Sequence, residues 1–197
     1  MCCKEKLVLV INGVGTCGKD TLCELAAKHF KCMNVSSIDP ILPIAKLGGW
    51  SGDKDRKSRK LLSSLKALFI EYNDLPLAYL HERTNEFIES GANIMFVHIR
   101  EPTEIKKYIS LLSDIARDRD DVILRSDVIL ITRNTVSSKL GNESDDNVLN
   151  YNYTWKYHND SSIEDAEILF VNTVADIVQF YGLQTIKQSQ LIKAKTK

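Results

Sequence analysis

Three stretches of the chain are almost wholly apolar: Leu7 to Ile11, Ile94 to Ile99 and Val128 to Thr132. Runs of that length without polar alternation mark strands covered on both faces, as in a parallel sheet. Between them the apolar positions change to a helical spacing. Leu22, Leu25, Ala26 and Phe30 share one side of a segment beginning at Lys19, and Ile105, Tyr108, Ile109, Leu112 and Ile115 share one side of a segment beginning at Pro102. The same spacing predicts a buried face of Leu61, Leu62, Leu65, Leu68 and Phe69, and another of Leu77, Leu80, Thr84, Phe87 and Ile88. A last helix from Ile163 to Tyr181 would bury Ile163, Ala166, Phe170, Val174, Ile177 and Tyr181.

Weaker signals complete the outline. Asn34 to Ser37 reads as a short second strand, and Tyr151 to His158 as an aromatic-rich last one. Pro40 starts a short helix that runs toward Gly48-Gly49, Asp74 with Pro76 suits another helix start, and Asn159 to Ser162 suits the N-cap of the last. Strands alternating with helices predict a three-layer α/β/α sandwich around a mostly parallel five-stranded sheet. The expected domain spans 1–183, with a helical insert at about 40–90 and a polar lid at about 134–150, followed by a mildly basic tail, 184–197.

Composition narrows the partners. A chain of 197 residues suits one sizeable domain. With 26 basic and 26 acidic residues there is no global field to attract nucleic acid or an anionic membrane. No apolar run approaches the roughly 20 residues needed to span a bilayer, and no signal-peptide core follows Met1. The five cysteines, at 2, 3, 17, 23 and 32, are odd in number and confined to the first sixth of the chain, which fits a reducing cytoplasm. A homodimer is compatible with all of this.

The most informative stretch joins the first strand to the first helix: Gly13-Val14-Gly15-Thr16-Cys17-Gly18-Lys19-Asp20-Thr21. It fits G-x-x-x-x-G-K in the strand–turn–helix setting that a phosphate-binding loop requires. Glycines let the backbone come close to a polyphosphate, and the N–H groups at the helix start point at the anion. Lys19 supplies a mobile charge for the β- and γ-phosphates of ATP. The next position departs from the pattern, with Asp20 where a serine or threonine is usual. Asp20 offers a carboxylate oxygen to Mg2+, and Thr21 a hydroxyl one residue later. Cys17 is read as a small residue filling a tight loop.

Ligands of such sheets sit beyond the carboxyl ends of the strands. That rule collects Ser36, Ser37 and Asp39 from the second strand, His98, Arg100 and Glu101 from the third, and Arg133 and Asn134 from the fourth. Two arginines, carboxylates and a phosphate loop at one edge suit phosphoryl transfer from ATP to a small phosphorylated acceptor. His98, on an apolar strand, reads more simply as a core histidine than as a base. Arg59 stands out in the charged run 53–60, one helical turn from Leu62.

With these residues in view, the chain resembles the bacteriophage-type deoxynucleoside monophosphate kinases of the P-loop nucleoside and nucleotide kinase group. The shared pieces are Gly18-Lys19-Asp20-Thr21, Ile38-Asp39-Pro40-Ile41, Gly49-Trp50, Arg59-Lys60-Leu61-Leu62, His98-Ile99-Arg100 and Tyr157 to Asp160. The resemblance implies that the loop and Lys19 hold ATP, that Arg59 and Arg100 face a monophosphate, and that Asp39 lies near the acceptor. It also marks a departure: the family carries a carboxylate where this chain has His98. The lid contains Lys139 but no arginine, with only Arg133 at its edge.

Overall fold

The computed structural model describes residues 3–53, 55–134 and 147–186. Its central strand, β1 (Lys4–Asn12), is buried from Lys6 onward because helices cover both of its faces. Side chains alternate across it. Leu7, Leu9 and Ile11 join one core with Leu22, Phe96 and Phe170, while Val8 and Val10 join another with Phe87, Met95 and Tyr108.

Four more strands follow: β2 (Cys32–Ser36), β3 (Ile94–His98), β4 (Val122–Thr132) and β5 (Trp155–His158). They lie in the order β2-β3-β1-β4-β5, and every pairing is parallel. Helices α1 (Lys19–Ala27) and α6 (Ile163–Phe180) cover one face; α4 (Leu75–Glu89) and α5 (Pro102–Asp118) cover the other. Two further helices, α2 (Ile41–Leu47) and α3 (Arg56–Asn73), lie between β2 and α4 in the chain. The three-layer parallel sandwich expected from the sequence is the fold. Among the described residues no helix is long and apolar enough to cross a membrane.

Several boundaries differ, each for a physical reason. β4 begins at Val122, not Val128, because its first residues alternate between buried and exposed and lack a continuous apolar run. β2 starts at Cys32, ahead of Asn34. β5 starts only at Trp155, since Tyr153 leaves the ladder to donate its hydroxyl to Val148 O at 2.5 Å. α6 is capped by Ser162, whose Oγ accepts from Asp165 N at 3.2 Å, and Asn159 takes no part in the cap. Ile163 therefore sits in the exposed first turn, outside the core face. Asp74 precedes α4 in a left-handed conformation, φ 49°, and spends its carboxylate on Lys107 at 2.6 Å instead of capping.

The largest departure concerns α3. Of its 18 residues only Ser58 is buried, and Leu61 and Leu68 are 40% and 59% exposed. The expected face of Leu61, Leu62, Leu65, Leu68 and Phe69 is thus split between a packed side and an open one. Helical spacing shows that apolar residues align, but not what they align against.

Two buried polar residues hold the sheet to its helices. Lys6 donates to Phe87 O, Ser90 O and Ala92 O at 3.0, 2.8 and 2.5 Å, occupying carbonyls at the end of α4. Burial lowers its pKa from the ordinary lysine value. Asp127 accepts from Val128 N, Trp155 Nε1 and Tyr181 Oη, each at 2.8 Å, and so ties β4 to β5 and α6.

Candidate phosphate-binding site

Parallel pairing brings the carboxyl ends of the strands to one edge. Ile11 of β1 lies opposite His98, which lies opposite Ser36, and Thr132 lies opposite His158. The glycine loop leaves β1 at this edge, where ligands of such sheets collect.

The loop's course depends on two positions without side chains. Gly13 has φ 148°, and a Cβ there would stand 2.2 Å from Ile131 O of β4. Gly18 has φ 93°, and its Cβ would stand 2.3 Å from Asn159 Nδ2. Thr16 shares the left-handed region at φ 67°. Cys17 is fully buried within the α1–α6 core, as expected of a small loop-filling residue.

Two buried asparagines brace the loop from below. Asn12 Oδ1 accepts from Gly13 N at 2.7 Å, while its Nδ2 donates to Arg100 O at 3.0 Å and Tyr153 Oη at 2.7 Å. Asn159 Nδ2 donates to Cys17 O at 2.9 Å. Sequence reasoning missed both as positioning residues. For Asn12 a signal existed: a polar side chain closes a buried apolar run directly before the glycine. For Asn159 the signals were its place after the last strand and its membership of the Tyr157 to Asp160 piece that carries the family resemblance.

Lys19 folds back over the loop, donating to Gly13 O at 2.6 Å and Val14 O at 2.8 Å. Asp20 and Thr21 lie in the first turn of α1, and the Asp20 side chain is 78% exposed. Across from them His98 donates from Nε2 to Asn34 Oδ1 at 2.8 Å, and its Nδ1 lies 3.7 Å from Asp20 Oδ1. Burial pushes the His98 pKa down to about 4; Asp20 opposes the shift, and Lys19 and Arg100 reinforce it. His98 is therefore a neutral imidazole at neutral pH and does not replace the charge of a carboxylate. Asp20 and His98 thus face each other at this edge, with Lys19 next to Asp20 in the chain and Arg100 two residues beyond His98.

The other candidates lie alongside. Asp39 Oδ2 accepts from Ser36 N at 2.7 Å and from Tyr79 Oη at 3.5 Å, which fixes the turn entering α2. Glu101 occupies the N-cap position of α5 without capping it. Ser37 is buried and accepts from Lys66 Nζ at 2.8 Å; Lys66 also pairs with Glu104 Oε2 at 2.7 Å. Neither Lys66 nor Glu104 was singled out from the sequence. Lys66 interrupts the inward positions Leu62 and Phe69 of α3, and a charge there must find a buried partner. Arg59 precedes Lys66 by two helical turns on the same side of α3. Arg133 is exposed just beyond β4, and no described contact draws it toward the loop; the lid residues 135–146 lie outside the described residues.

The Lys66–Glu104 pair connects α3 to α5 with both side chains only 14% and 13% exposed. Removing one partner strands the other charge, so Lys66→Ala is expected to cost about 3 kcal/mol. The double replacement Lys66→Met with Glu104→Leu should recover most of that loss. Urea unfolding with unchanged slope measures both changes. A Lys66→Ala midpoint equal to that of the unchanged chain would show the pair to be energetically idle.

Comparisons with known proteins agree with the architecture. No protein-family model matches the sequence, and no curated protein matches it significantly. Among solved structures, a candidate kinase from Chloroflexus aurantiacus superposes with a TM-score of 0.53 at 13% identity, covering 90% of this chain and 98% of that one. The tunicamycin resistance protein of Deinococcus radiodurans superposes with a TM-score of 0.50 at 9% identity, covering 87% and 96%. At these identities the likeness is one of fold: the chain shares the three-layer α/β architecture of these proteins.

Proposed function

We propose that this protein is an ATP-dependent phosphotransferase moving the γ-phosphate to a small phosphorylated acceptor, with a (deoxy)nucleoside monophosphate the best match. The observation that carries the proposal is Lys19, seated over a glycine loop at the sheet edge where Asp20 and His98 lie 3.7 Å apart. Loop N–H groups and Lys19 bind the triphosphate, and release of Lys19 from Gly13 O and Val14 O frees it to do so. Arg100 and Arg59 orient the acceptor phosphate, Glu101 borders it, and Asp39 holds the turn beside it. Arg133 is assigned to neutralising charge during transfer from the lid edge. The kinase description of a fold neighbour supports the same reading.

The donor set fits Mg2+. Asp20 and Thr21 supply oxygen donors beside the loop, and the Asp20 carboxylate is open to solvent. Among the described residues no group of three or more His, Cys, Asp and Glu side chains could hold a metal by itself. That suits a kinase ion bound through one or two protein oxygens together with phosphates. When bound, the ion neutralises phosphate charge. The chain's own contribution is positioning and charge complementarity.

A second reading, nucleotide binding without transfer, is favoured by one observation: His98 is neutral where the resembled kinases carry a carboxylate. A coupled ADP-release screen over the common nucleoside monophosphates and other small acceptors, with Lys19→Ala as background, decides between the two. At least one acceptor should raise ADP release well above the variant. If none does while ATP still binds, the chain is a nucleotide-binding module.

A further inference from the structure

We infer that the outer face of α3 is an interface on which a second copy of this chain packs, the two α3 helices running antiparallel. Leu61, Leu65, Leu68 and Tyr72 recur at intervals of four, three and four residues, the spacing of a helix–helix seam. At about 100° per residue they fall within an arc of about 60°. Leu61, Leu68 and Tyr72 are 40%, 59% and 79% exposed, Leu65 between them is half-buried, and the neighbouring α2 leaves Leu47 exposed as well. A row of large apolar residues on one open helix face is the arrangement that marks an interaction surface.

The acceptor is not the occupant. Lys66, which touches Ser37 and Glu104, leaves the helix about 130° around from this row, and Arg59 about 150° around. The site and the row therefore use different sides of α3. Charge selects the partner and its direction. Exposed Lys57 and Lys60 flank the row at its N-terminal end, and exposed Glu71 flanks it on the same side near its C-terminal end. A second copy laid antiparallel sets the lysines of each helix against the glutamate of the other; a parallel copy would gather the lysines of both helices at one end, away from either glutamate. A face about 27 Å long, from 18 residues, falls short of the roughly 800 Å² per partner of a standard interface, so the dimer is a weak one.

Sedimentation equilibrium of the full chain from about 5 to 200 μM tests this, since a micromolar dissociation constant lies within that range. The unchanged chain is expected to pass from monomer to dimer across it. Leu68→Glu with Tyr72→Glu should leave a monomer throughout with an unchanged urea midpoint, because both side chains are exposed. Lys60→Glu and Glu71→Lys should each weaken the dimer by about tenfold, and the two together should restore it. A chain monomeric at every concentration overturns the inference, as does a dimer that survives the double glutamate variant. A charge pair that fails to rescue overturns the antiparallel arrangement. None of these readouts uses nucleotide, so the outcome is independent of the kinase proposal.

Discussion

Gly13→Ala is expected to cost at least about 3 kcal/mol of stability, because it combines a disfavoured backbone with a collision that cannot relax. The added methyl would lie 2.2 Å from Ile131 O and 2.9 Å from Cys17 Sγ at φ 148°. Ile131 O belongs to a central strand, and Cys17 is fully buried, so neither neighbour can withdraw cheaply. Gly49→Ala supplies the comparison. Its φ is 89° and nothing lies within 4 Å of the added methyl, so it incurs backbone strain alone, about 1 kcal/mol. Urea midpoints of the two variants measure the difference. Equal midpoints would mean that β1 and β4 part easily at the loop, contrary to their continuous parallel ladder.

The second large effect is on binding and transfer. Lys19→Ala should weaken ATP binding about ten- to a hundredfold, the worth of a hydrogen bond to a charged group, and reduce kcat/KM by a further factor of about 100 to 1000. Its stability should move by only about 1 kcal/mol, because the hydrogen bonds that Lys19 makes to Gly13 O, Val14 O and Cys17 Sγ lie in a partly buried loop. Nucleotide-dependent thermal shifts measure the first change and coupled ADP release the second. Undiminished ATP binding in the variant would remove the phosphate-loop assignment itself. Lys19→Arg, which keeps the charge but not the compact ammonium, should recover binding better than transfer.

Much of this was legible in the sequence. Leu7 to Ile11 and Ile94 to Val97 became the two most buried strands, because a continuous apolar run has few homes other than the middle of a covered sheet. Gly13 and Gly18 marked the loop, since only certain backbone angles permit that turn and glycine reaches them without penalty. Less was legible wherever a residue's role lay in its partner. Asn159 looked like a helix cap and instead holds Cys17 O, 142 residues away. Arg125 and Ser126 hid the first half of β4, because an alternating strand gives a weaker signal than a buried one.

His98 shows the limit most clearly. Its position at the end of an apolar strand was readable, yet its neutrality follows from burial, reinforced by Lys19 and Arg100 against the opposing pull of Asp20. Local spacing and glycine geometry are properties of neighbours in the chain, so the sequence alone determined the strand, the loop, the helix and the parallel sheet. Electrostatics and hydrogen-bond satisfaction act through space with a strength set by burial. The tertiary structure alone therefore decided which side chains brace Gly13 and Cys17, which charge Lys66 meets, and which side of α3 was left open.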